Sequence, residues 1–176
     1  MSAAYFPPAL HMASLVLLVV VVIAAAFVDI RERRIPNVIT FPAMAVGFVV
    51  STWVAEDHAR GALMSLLGWA LGIALFLIPV AFMGRGAGDL KLLAAVGAIG
   101  GPVFVIWAAV LTTAFGGILA VAVLLAKRQF GAVAGGIALD VVTRQKVQAA
   151  SDIRLPYAVP IAAGALVTAA IGLLVK

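Results

Sequence analysis

The sequence predicts an all-α fold, a polytopic membrane bundle of about six transmembrane helices with its N-terminus outside. Composition is the first observation: 65% of the 176 residues are apolar and 11% charged, with a mean hydropathy of +1.23, whereas soluble domains are roughly half apolar. The second is that apolar runs of membrane-crossing length recur along the chain. The third is that the charges gather between those runs instead of along helix faces, so the runs are apolar all round, as lipid-facing or buried helices are. We treat residues 1–176 as a single membrane-embedded domain.

The first run is Met12 to Val28. Its small residues Ala24 to Ala26 resemble a signal-peptide cleavage site, but residues 1–11 carry no Lys or Arg and the basic cluster follows the run. That order is the reverse of a secretory signal, so the run is expected to be retained as a span. The second and third runs are Asn37 to Ala55 and Gly61 to Met83. Pro36 restricts Ile35 to extended backbone and is tolerated near a helix start, which makes Arg34 to Asn37 a short connector.

The fourth run, Leu90 to Gly100, is short. At ~1.5 Å per residue it covers about half of a ~30 Å hydrocarbon core, and it is either a short helix inside the bundle or a half-span. The fifth and sixth runs are Pro102 to Ala126 and Leu155 to Val175, joined by a polar loop over 127–154. Gly116, Gly117 and Gly164 are expected to allow close helix contacts.

Charge orients the bundle. With six runs, ten of the twelve Lys and Arg residues fall in loops on one side, and only Arg60 and Lys176 on the other. The positive-inside rule makes the basic side cytoplasmic. Omitting the short fourth run would send the basic cluster of the long loop outside, which supports counting it. The net charge of +5 therefore follows the membrane, with Arg31, Arg33 and Arg34 set against anionic headgroups, and does not indicate nucleic acid. No glycine cluster is followed by Gly-Lys-Ser/Thr, so nucleotide binding has no support. With no cysteine, thiolate metal sites, disulfides and a cysteine nucleophile are excluded. His11 and His58 belong to the outer side, so no histidine metal site is expected.

Two carboxylates stand out. Asp29 ends the first run and Asp89 opens the fourth, in Gly84 to Leu93, "GRGAGDLKLL". A carboxylate beside hydrocarbon is costly unless paired, hydrated or protonated. In the six-run topology both lie at similar depth on the cytoplasmic side, and packed helices 8–10 Å apart allow such side chains to converge. Two carboxylates in a poorly hydrated cleft do not both ionise cheaply, so one would keep its proton. That division suits peptide hydrolysis, in which one group activates water and the other supports the departing amine. Gly86 and Gly88 permit positive φ and close backbone approach, so that an extended substrate can lie against the carboxylate, and Lys91, taken with them as substrate-binding, would hold the aspartate's charge or a lipid phosphate. Structural readings compete evenly with this one: Asp89 as the N-cap of its helix, and Asp29 as an ion-pair partner of Arg33 at helical spacing.

"DIRERRIPN" (Asp29 to Asn37) after a first span and "GAGDLKLLAAVG" (Gly86 to Gly97) after a third resemble the type IV prepilin peptidases, within the GxGD membrane aspartyl proteases. The short CpaA/TadV-like branch is the nearest likeness, and "RLPYAVPIAAGAL" (Arg154 to Leu166) is similar to its last span. The resemblance implies that Asp29 and Asp89 are the catalytic pair, that Gly86 and Gly88 form the GxGD loop, and that no metal or other cofactor is needed. It implies a prepilin or pseudopilin substrate with a short leader, cleaved at the cytoplasmic face of a bacterial inner membrane. The larger members also N-methylate the new terminus and carry a cysteine-bearing insertion. Here only a few residues separate the first two runs, so peptidase activity without methyltransferase activity is expected.

Two other classes fit the residues alone. Cytoplasmic-side aspartates beside Arg and Lys would suit a Mg-dependent membrane phosphotransferase, whose activity a chelator would remove. A broken, glycine-bracketed helix would suit a transporter, which would tolerate Asp29→Asn at least in part.

Overall fold

The computed structural model describes residues 10–83, 86–126 and 157–174; the loop expected over 127–154 lies outside them. Every regular element described is helical: α1 (Met12–Glu32), α2 (Asn37–Val54), α3 (His58–Met83), α4 (Ala87–Ala126) and α5 (Ala158–Leu174). Four are long and apolar enough to cross a membrane, and α5 is a shorter apolar helix. Val16, Val20, Ile23 and Phe27 of α1, Val46 and Val49 of α2, and Leu63, Leu66 and Leu67 of α3 are exposed. Helices that turn rows of large aliphatic side chains outward, with most backbone groups bonded within the helix, suit a hydrocarbon surrounding.

Local chemistry sets the ends. The His11 ring accepts from the Ala13 N–H at the start of α1, and Asp57 Oδ1 accepts from the Ala59 and Arg60 N–H groups at the start of α3. α1 continues beyond the apolar run to Glu32 and stops at Arg33, whose left-handed backbone (φ 52°) is unusual for a residue with a side chain. This stop leaves Ile35 buried, and Pro36, in extended geometry, starts α2.

The fourth and fifth runs form one hydrogen-bonded element broken at a single residue, Gly101 (φ 80°, ψ −179°). There the chain turns back. Residues 93–101 pack on α3, where Gly72 meets Leu93 and Ala94 and Gly68 meets Gly97 and Gly101. Residues 108–116 pack on α5, where Gly164 meets Ala108 and Thr112 and Gly116 meets Tyr157. A straight helix would carry Gly116 about 40 Å from Asp89. Instead Gly116 touches Tyr157, the next residue, Ala158, bonds to Asp29, and Asp29 in turn lies within electrostatic reach of Asp89.

The outward half of this hairpin, 87–100, is the axis of the bundle. Leu92 to Val96, Ala98 and Ile99 are all buried, and Leu18 and Val22 of α1, Ala43 of α2 and Ile161 of α5 belong to the same core. Close approach of backbones makes this possible: an added Cβ on Gly72 would stand 2.7 Å from the Leu93 carbonyl oxygen, and one on Gly164 2.6 Å from Thr112 Oγ1. Gly117, in contrast, faces open space and Gly116 has only ordinary contacts. Of the three glycines expected to mediate close packing, Gly164 alone does so.

Candidate functional site

One end of the bundle gathers the two aspartates. Asp29 sits on the last full turn of α1 and is only 5% exposed. Its burial follows from the register of α1, where Leu18, Val22, Ala25 and Asp29 recur at three- and four-residue spacing along the inward face. Its carboxylate does not pair with Arg33. The Arg33 N–H donates to the Asp29 carbonyl oxygen, 2.8 Å, the Arg33 side chain is exposed, and Oδ2 of the carboxylate accepts the Ala158 N–H at 2.9 Å in a buried bond.

Asp89 is half-buried in the first turn of α4. It is not the cap of that helix, because Ala87 already has helical backbone and the Leu90 N–H bonds to the Gly86 carbonyl. Gly86 makes the turn into α4 with φ 101°, a conformation that side chains other than glycine's resist. The start of a helix is also where a negative charge is best tolerated. Packing of the α1–α2 connector on the start of α4, where Gly88 meets Ile35, thus sets Asp29 and Asp89, 60 positions apart, close enough for their charges to interact.

The remaining residues of the two motifs form the wall. Gly88 leaves its space to Ile35: a Cβ there would stand 3.1 Å from Ile35 Cβ. The connector between α1 and α2 therefore lies directly on the glycine loop, which keeps the two motifs in register. Lys91 turns away from Asp89 toward the start of α2, donating to Asn37 Oδ1 at 2.8 Å with its ammonium 5.1 Å from the Phe41 ring centroid. Arg31 lies over Phe27, 4.4 Å from the centroid, a contact for a basic residue at a membrane edge.

Three partners were not legible as site residues in the sequence. Ala158 contributes through its backbone, which no side-chain motif advertises; the prolines around it in "LPYAVP" were the available signal of a helix start. Ile35 and Asn37 read as connector residues, and only the fold gives them Gly88 and Lys91 as neighbours. Thr40, fully buried on α2, has no hydrogen-bond partner for its hydroxyl among the described residues.

The opposite end carries the histidines. His11 and His58 lie at the far ends of α1 and α3, where His58 Nδ1 is 2.9 Å from the Thr52 carbonyl. A cleft of about 290 Å³ opens there, lined by His11, Ser14, Ser51, Arg60, Ser65 and Gly101 among others. Among the described residues no three His, Cys, Asp or Glu side chains come together as metal ligands do.

Chemically, a buried carboxylate with one oxygen tied to an amide, next to a half-buried carboxylate at a helix start, is equipped for proton transfer at the membrane edge. The sequence profile of the type IV leader peptidase family matches residues 16–125, from α1 through nearly all of α4. No curated protein and no solved structure matches the chain.

Proposed function

Because the chain belongs to the type IV leader peptidase family, we propose that it is an aspartyl endopeptidase with Asp29 and Asp89 as its catalytic pair. The observation that carries this reading is the convergence of these two carboxylates at one end of the bundle. The substrate is a pilin-like precursor whose short leader precedes a hydrophobic helix, so that the scissile bond lies at the membrane surface.

In the reaction, one carboxylate accepts a proton from water as the water oxygen bonds to the scissile carbonyl carbon. The protonated partner donates a hydrogen bond to the carbonyl oxygen as it becomes negative. Its proton then passes to the leaving nitrogen, the C–N bond breaks, and the products are a leader carboxylate and a mature chain with a new amino terminus. No step uses a metal. Gly86 turns the chain so that Asp89 enters the first turn of α4, Gly88 receives Ile35, and Lys91 ties the loop to Asn37.

In keeping with the basic loops, the site faces the cytoplasm of a bacterial inner membrane, and the short α1–α2 connector favours peptidase activity without methyltransferase activity. The test is cleavage of a pilin-like precursor by detergent-purified protein in excess chelator, comparing wild type with Asp29→Asn and Asp89→Asn. Cleavage by wild type alone is expected. Full turnover by either folded variant would overturn the assignment, and no cleavage by well-folded wild type would return the phosphotransferase and transport readings.

A further inference from the structure

α5 lies outside the residues that the family profile matches, yet it supplies the one hydrogen bond that the Asp29 carboxylate accepts from a described residue. The Ala158 N–H reaches Oδ2 at 2.9 Å, both residues are buried, and 129 positions separate them. We propose that the Ala158 amide is a positioning group of the reaction: it fixes Oδ2 of Asp29 and leaves Oδ1 to carry that residue's proton transfer. The proposal rests on the catalytic reading of Asp29.

The first turn of α5 has few other outlets for its donors. The first N–H groups of any helix lack partners within it. Pro160 has none to offer, and the Ile161 N–H bonds to the Tyr157 carbonyl at 3.3 Å. Tyr157, in the cap position, has no short side-chain oxygen of the kind that serves as a cap. The Asp29 carboxylate fills that place from another helix, so the cap of α5 and the orientation of Asp29 are one contact.

A carboxylate on a single bond to Cβ would otherwise turn about a broad, roughly two-fold torsion. Two acceptor oxygens are available, and binding one to a rigid backbone group fixes the plane of the carboxylate and so the direction in which the other meets the water. Proton transfer demands that order, since displacement of a reacting group by about 1 Å can cost on the order of 100-fold in rate. A contact serving α5 alone would stabilise the bundle with no effect on turnover per folded molecule.

The experiment replaces the amide and nothing else. Ala158→lactate, introduced as an ester, keeps the methyl group and removes the N–H. Ala162→lactate makes the same change one turn further along α5, away from Asp29. Kinetics of precursor cleavage are measured per folded molecule, with Asp29→Asn as reference. For Ala158→lactate we expect kcat to fall roughly 10- to 100-fold with KM within about twofold of wild type, while Ala162→lactate lowers only the unfolding temperature. Ala158→Pro, which also lacks the N–H and suits the first helical position, should reproduce the loss. Wild-type kcat in Ala158→lactate, or an equal loss in Ala162→lactate, overturns the positioning role and leaves the catalytic pair intact. Full activity in Asp29→Asn overturns the catalytic reading, and this proposal with it.

Discussion

The Ser65 hydroxyl donates to the carbonyl oxygen of Ala98 at 2.6 Å, and the Ser51 hydroxyl shares that acceptor at 3.1 Å. The reason is four residues on: Ala98 would normally accept from residue 102, and Pro102 has no N–H. Ser51 also reaches the Ile99 carbonyl, 3.0 Å. Two helices thus close the end of the short central helix, about 14 Å along it from Asp89, roughly half of a hydrocarbon core. Since each serine backs up the other, Ser51→Ala or Ser65→Ala alone should cost about 1 kcal/mol or less. The double variant should cost more than the sum, measured by unfolding in mixed micelles.

Gly101 is the point at which the central helix reverses, with φ at 80°. Gly101→Ala should destabilise the bundle by about 1–3 kcal/mol through backbone strain alone, because the nearest atom to an added Cβ, the Met64 carbonyl oxygen, is 3.9 Å away. A thermal unfolding temperature equal to that of wild type would show that the turn does not need glycine.

Glycine content is not uniform in meaning along α3 and α4. Gly72→Ala would drive a methyl group to 2.7 Å from the Leu93 carbonyl oxygen, whereas Gly117→Ala enters open space. Gly72→Ala is expected to lose folded protein and Gly117→Ala to match wild type, read from the yield of monodisperse protein.

Lys91 and Asn37 form one contact across the start of α2 and α4. Lys91→Met and Asn37→Ala should therefore alter cleavage to the same small degree, within about threefold, and the double variant should add nothing to either single change. Loss of all cleavage in Lys91→Met would assign the ammonium to the substrate instead.

The aspartate pair should behave as a unit. Once Asp29→Asn has removed cleavage, adding Asp89→Asn should cost nothing more in kcat/KM, because partners in one proton-transfer step are not additive. Independent, multiplying losses would mean that the two carboxylates act in separate steps.

Much of this was legible in the chain itself. Composition and run length determined a helical membrane bundle, since a spanning segment must bond its own backbone and present apolar side chains outward. The place of Asp29 at the end of the first apolar run, and the glycine-flanked Asp89 at the start of the fourth, marked the two carboxylates, because a charge set against hydrocarbon must be used or paired. Even the short fourth run was visible as a segment too brief to span alone. Tertiary structure decided what no local pattern encodes. Gly101 folds the fourth and fifth runs back on each other, Gly88 makes room for Ile35, Lys91 turns to Asn37, and the Ala158 amide takes Oδ2 of Asp29. Apart from the Lys91–Asn37 side-chain bond, these join residues through backbone atoms or close packing, and backbone groups are the same at every position. Only the path of the chain determines which of them meet.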